Sequence, residues 1–182
     1  MSNQNYHYRN PDFYAGQTDG CTLLVQLGAV TFSYAVISEA GLQALEDNIS
    51  LAELIEPSEA HQLIFSNYKE CIIGLPQNGF TFVLYGLFKP ELVTDFARFL
   101  DVKSEEKVFS QPLDNHNQVI YKVKESIADI IAEKFDLKNT VFPAKGWINA
   151  AAKNKPANNE IFLNIENDKV SLLNFKDGKL RF

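Results

Sequence analysis

Two hairpin-like segments carry the residues that could meet a phosphate. The first runs Leu23-Leu24-Val25-Gln26-Leu27-Gly28 and returns from Val30 to Ile37. The second runs Ile161-Phe162-Leu163-Asn164-Ile165-Glu166 and returns from Lys169 to Phe175. A nucleotide site at paired turns needs carboxylates to position Mg²⁺ and the attacking water. It also needs glycines whose backbone N–H groups reach phosphate oxygens. Gly28 could serve the second need, but Gln26 puts a neutral amide where the first need calls for an acid. In the second segment Asn164 and Glu166 fill the matching slots. Glu166 sets a negative charge where phosphate would approach, and Asp168 is the carboxylate that could restore metal binding. Each position also has a plainer reading: Gly28 as a turn glycine, and Asn167-Asp168 as a turn pair favoured for conformational reasons.

Other catalytic sets are absent from the sequence. There is no Gly-rich Walker loop, no Gly-x-Ser-x-Gly and no His-Glu-x-x-His, and His7, His61 and His116 are far apart along the chain. His116 sits in Asp114-Asn115-His116-Asn117, which reads as a solvated loop. Cys21 and Cys71 each lie inside an apolar run and read as reduced core thiols, since burial raises a thiol's pKa and blunts it as a nucleophile.

The elements that must position these residues alternate between strand and helix. Residues 1–20 read as an irregular arm whose aromatics, Tyr6, Tyr8, Phe13 and Tyr14, predict that part of it packs on the body or on a neighbouring copy. A dense strand at 21–27, a turn at Gly28-Ala29 and a return strand at 30–37 follow. Val30, Phe32, Tyr34 and Val36 share one face, and Thr31, Ser33, Ala35 and Ile37 make an opposite face suited to a covering helix. Residues 39–62 read as helical or irregular, with Ser50 and Glu53 spaced as a capping box, and 61–65 as a short strand. Asn78-Gly79 between Glu70–Leu75 and Phe80–Leu84 predicts a hairpin. Pro90-Glu91 opens a helix with Leu92, Phe96, Phe99 and Leu100 as its buried stripe. Residues 101–117 read as a loop with a short strand near Lys107–Phe109. Then come a strand at Val119–Val123, a helix bearing Ile127, Ile130, Ile131 and Phe135, a short strand at Thr140–Phe142 and a helix around Trp147, Ile148 and Ala151. Polar residues 153–160 read as a linker before the second hairpin, and Asp177-Gly178 turns the chain into a third strand at Lys179.

Bulk properties exclude several classes. The 182-residue chain is 46% hydrophobic with a formal net charge of −6. It lacks a basic run, which argues against nucleic-acid binding. No apolar stretch reaches the length of a membrane helix and no signal-peptide core is visible, so a cytoplasmic location is expected.

The order of these segments resembles the DUF3822 family of Bacteroidetes proteins of unknown function. The residues carrying the likeness are the hairpin 23–37, the segment from Cys71 through Leu100, the strand-to-helix segment from Val119, and Val-Ser-Leu-Leu-Asn-Phe-Lys-Asp-Gly-Lys-Leu at 170–180. The resemblance implies an α/β fold of the actin-like ATPase and ribonuclease H-like type, a mixed sheet with helices. It further implies an N-terminal arm at 1–20, a first half-domain at 21–155, and at 161–182 the first strands of an incomplete second half. In that superfamily paired hairpins hold phosphates and metal through Asp-x-Gly, which Gln26-Leu27-Gly28 and Asn164-Ile165-Glu166 do not keep. The expectation is therefore a non-catalytic actin-like domain without a cofactor, acting through an unknown protein partner or self-association. The alternative is a degenerate nucleotide-binding protein or ATPase, with ATP and Mg²⁺ held near Gln26, Gly28, Asn164 and Asp168.

Overall fold

The computed structural model describes residues 6–76, 78–165 and 170–181. Its twelve strands run β1 (His7–Arg9), β2 (Thr22–Leu27), β3 (Thr31–Ser38), β4 (Gly41–Ser50), β5 (Glu70–Gly74), β6 (Phe80–Leu84), β7 (Glu106–Pro112), β8 (Asn117–Lys124), β9 (Thr140–Val141), β10 (Ile161–Ile165), β11 (Val170–Lys176) and β12 (Lys179–Arg181). The α-helices are α1 (Ala52–Ile55), α2 (Val93–Ala97), α3 (Glu125–Lys134) and α4 (Ala144–Lys153).

The largest sheet has six strands in the order β1-β4-β3-β2-β5-β9. Neighbours from β1 to β2 are antiparallel, and β5 and β9 join in parallel. Leaving aside the edge strand β1, this is the ribonuclease H-like order, an antiparallel meander extended by parallel strands. The alternation in β2 and β3 drives it. Leu23, Val25, Leu27, Phe32, Tyr34 and Val36 are buried on one face and share a core with Leu54, Leu63, Ile64, Ile127 and Ile131. Val30, expected on the buried face, precedes β3 in the turn and is 74% exposed, and the opposite face is less covered than the sequence predicts: Thr31, Ser33 and Ala35 are half-buried and Ile37 is exposed.

Residues 39–62 depart most from expectation. Their first part is β4, a ten-residue strand, and Glu59–Phe65 is a 3₁₀ turn instead of a strand. The β3–β4 register shifts between Phe32 and Tyr34 and again between Val36 and Ile37. Each irregularity breaks the inward phase, so Gln43, Ala44 and Ile49 are buried with no period of two. The capping box is not made either. Ser50 Oγ accepts from the Ala52 N–H at 3.3 Å, but Glu53 turns to Ser58 and His61 instead of back to Ser50.

Asn78-Gly79 does not close a hairpin. β5 pairs in parallel with β2 and β9, and β6 belongs to a second sheet ordered β6-β8-β7. The turn therefore passes the chain between sheets. β8 is the centre of that second sheet, buried throughout except at Lys124. Residues 101–117 contain the strand expected near Lys107–Phe109, lengthened to the seven residues of β7. The stripe after Pro90 is half-buried, and Phe99 points outward at 83% exposure.

The third sheet is the antiparallel meander β10-β11-β12. Asp177 and Gly178 both take positive φ, 53° and 73°, as a two-residue primed turn requires. Leu173, Phe175 and Leu180 join the common core. The N-terminal arm is ordered in part. β1 lies along β4, Ala15–Gly20 forms a 3₁₀ turn and Phe13 is buried. Tyr6, Tyr8 and Tyr14 remain exposed, so backbone pairing and one ring anchor the arm.

Candidate functional site

The first hairpin turn is closed by its own backbone. Gly28 N–H donates to the Thr31 carbonyl at 2.8 Å, and a Cβ added at Gly28 would lie 3.0 Å from that oxygen. The amide expected to cradle phosphate is thus already used, and the glycine is required by close approach. Gln26 is exposed. Its side chain lies across Gly74 of β5, where an added Cβ would meet Oε1 at 2.5 Å, and its Nε2 donates to the Leu27 carbonyl at 3.4 Å. The turn thus presents a neutral amide at Gln26 and an engaged N–H at Gly28.

In the second hairpin Asn164 is half-buried on β10, directly opposite Ser171 of β11. Glu166 and Asp168 lie outside the described residues. Among the described residues no group of three or more His, Cys, Asp or Glu side chains could hold a metal ion.

A cavity lies elsewhere. It has a volume of about 810 Å³ and is lined by neither Gln26, Gly28 nor Asn164. Phe80 and Phe82 of β6, Phe142 after β9, Trp147 and Ile148 of α4, and Leu173 of β11 form its apolar wall. The rings pack against one another, with Phe80–Phe142 centroids 5.2 Å apart and Tyr121–Phe142 centroids 5.4 Å apart. A smaller cavity of about 380 Å³ is lined by Leu84, His116, Asn117 and the β11–β12 turn with Lys176, Asp177, Lys179 and Arg181. Sequence spacing could not disclose either cavity, because each is assembled across two sheets.

A polar cluster was also invisible in the sequence. His61 Nδ1 lies 2.9 Å from Glu53 Oε2, and its Nε2 lies 3.4 Å from Glu46 Oε1. His7 Nδ1 approaches the other Glu46 oxygen at 3.7 Å, and the Tyr34 hydroxyl donates to that oxygen at 3.3 Å. Two of the histidines that are distant in sequence therefore meet at one carboxylate. The Ser58 N–H and then His61 hold the Glu53 carboxyl down at about 2. Burial opposes charge on His61, but its hydrogen bonds to Glu53 and Glu46 outweigh burial and raise its pKa. Burial, then Glu46, pushes Tyr34 up to about 12. Both cysteines are free, Cys21 buried and Cys71 half-buried, and burial pushes the Cys71 thiol up to about 11.

The mixed sheet and its appended meander define the class: this is an actin-like ATPase fold. The crystal structure of a Bacteroides thetaiotaomicron VPI-5482 protein with actin-like ATPase fold and unknown function superposes with a TM-score of 0.77 at 16% identity, over 93% of this chain and 71% of that one. The cytoplasmic domain of EpsL, an inner membrane component of the type II secretion system of Vibrio cholerae, gives a TM-score of 0.41 at 15% identity, over 66% of this chain and 53% of that one. Among curated proteins, none matches the chain in sequence. The family described as "Protein of unknown function (DUF3822)" matches residues 10–182, and the chain belongs to it. No helix among the described residues is long and apolar enough to cross a membrane.

Proposed function

We propose that this chain is a non-catalytic actin-like domain that works through protein contacts. One observation carries the reading. On the outer face of the third sheet, Ile161, Leu163, Ile165, Val170 and Leu172 are 58 to 73% exposed. Leu163 stands opposite Leu172 and Ile165 opposite Val170, so the aliphatic side chains form one contiguous surface. Contiguous exposed apolar surface of this kind marks interaction sites, and a sheet face is normally buried by another layer. The neutral Gln26 and the engaged Gly28 N–H support the non-catalytic part.

The test compares the wild-type chain with a Leu163→Asp/Leu172→Asp variant in sedimentation and in affinity capture. Wild type is expected to self-associate or retain a partner that the variant loses. Equal behaviour of the two proteins would overturn the reading. A melting scan with millimolar Mg-ATP separates the nucleotide alternative, since a ligand selective for the native state raises the melting temperature. No shift is expected, whereas a saturable shift would favour the degenerate ATPase.

A further inference from the structure

The two cavities adjoin, and their chemistry differs sharply. Leu180 and Arg181 line both. The larger is walled by aromatic rings, and its 810 Å³ falls in the range that takes small organic ligands. The smaller gathers Lys176, Lys179 and Arg181, beside exposed His116. Among the described residues none of these three cations makes an ion pair.

Their placement is unfavourable for the chain alone. Lys176 and Lys179 stand directly opposite each other across β11 and β12, a like-charge pairing that destabilises a hairpin. Among the described residues Asp177 is the one carboxylate on this wall. It is held in the turn, accepting from Asn158 Nδ2 at 3.0 Å while its own N–H donates to Asn158 Oδ1 at 2.7 Å. In a chain of net charge −6, unpaired cations beside an aromatic cavity form a local site of the opposite sign.

We propose that the joined cavities bind one amphipathic anion, with an aliphatic or aromatic body against Phe80, Phe142 and Trp147. Its carboxylate or phosphate head meets Arg181, Lys176 and Lys179. The guanidinium offers a planar fork to such a head, and the lysines add mobile charge. This site shares Ile161, Val170 and Leu172 with the exposed aliphatic face, since all three line the larger cavity, and its probe titration is read apart from the protein contact proposed above.

Trp147 is the sole tryptophan and lines the larger cavity, so its emission reports occupancy directly. The experiment titrates the full chain with the anion 1-anilinonaphthalene-8-sulfonate and with uncharged N-phenyl-1-naphthylamine. The anion is expected to quench Trp147 saturably at one probe per chain, and about tenfold more tightly than the neutral probe. A Lys176→Gln/Lys179→Gln/Arg181→Gln variant should lose that preference while keeping its affinity for the neutral probe. Laurate should displace the anionic probe. Displacement by phosphatidylglycerol vesicles as well would assign the source to lipid, and displacement by laurate alone to a soluble amphiphile. The proposal fails if neither probe quenches Trp147, or if the triple variant binds both probes as wild type does. A further variant, Ala144→Phe, narrows the larger cavity without touching the charges. It should weaken both probes, and unchanged binding would likewise overturn the site.

Discussion

His61 joins Glu53 on α1 with Glu46 on β4, so its protonation ties two elements together. Its pKa is raised in the folded state, so its contribution is complete below 6.5 and is lost as pH climbs through the raised value. Glu53 behaves oppositely. Its contribution is complete above 4.5 and is lost as pH falls toward about 2. The cluster should therefore support stability most fully between pH 4.5 and 6.5. Chemical denaturation across pH should show a decline above that window for wild type and a flatter profile for His61→Gln. Identical alkaline slopes would remove His61 from the account. Two glycines make a second residue-scale contrast. Gly28→Ala presses a Cβ onto the Thr31 backbone carbonyl and should cost about 1 kcal/mol. Gly74→Ala meets only the movable end of Gln26 and should stay within about 0.5 kcal/mol. Urea midpoints for the pair decide it. The residue types at 26, 28 and 164 were legible in the sequence, as was the missing acid. The engaged Gly28 N–H was not, because a hydrogen bond leaves no mark in composition.

Within β7 and β8, Lys122 and Glu106 form a pair with little exposure, Nζ to Oε2 2.8 Å, and Lys122 Nζ also donates to the Asp101 carbonyl at 3.1 Å. Glu106→Gln removes the counter-charge of this little-exposed ammonium and should cost about 3 kcal/mol. Lys122→Met combined with Glu106→Gln should recover part of that loss, and a double mutant no more stable than the single would argue against a buried charge as the cause. Element type was legible where alternation is clean, as in β2, β3 and β10, or where Asp-Gly forces a primed turn at 177–178. It failed at β4, whose register shifts scramble the inward phase. It failed again at Asn78-Gly79, where a strong local hairpin signal lost to parallel pairing of β5 with β2 and β9. Phe99 shows a third kind of failure. Helical spacing identifies a stripe, but neighbouring structure decides whether the stripe is covered.

Across the whole molecule, Phe142 is the ring where layers meet. It follows β9 of the large sheet and touches Phe80, Phe82 and Tyr121 of the second. Phe142→Ala should cost about 3–5 kcal/mol and broaden the unfolding transition, measured by calorimetry. A sharp transition with a small loss would mean that the sheets do not depend on this contact. The fold class was legible through the family resemblance that the order of segments carries. The cavities were not, because their walls come from segments as distant as Phe80 and Arg181.

β1 has a last consequence. It occupies the outer flank of β4, reinforced where Asp47 N–H donates to the Tyr6 carbonyl at 3.1 Å and Asn10 N–H to the Gln43 carbonyl at 2.8 Å. At the far flank β9 has only two residues, too few to template another chain. Trimming residues 1–10 during expression would thus do more than shorten a tail. It would bare a ten-residue strand along its full hydrogen-bonding side, and the trimmed protein should polymerise edge to edge where the intact one does not.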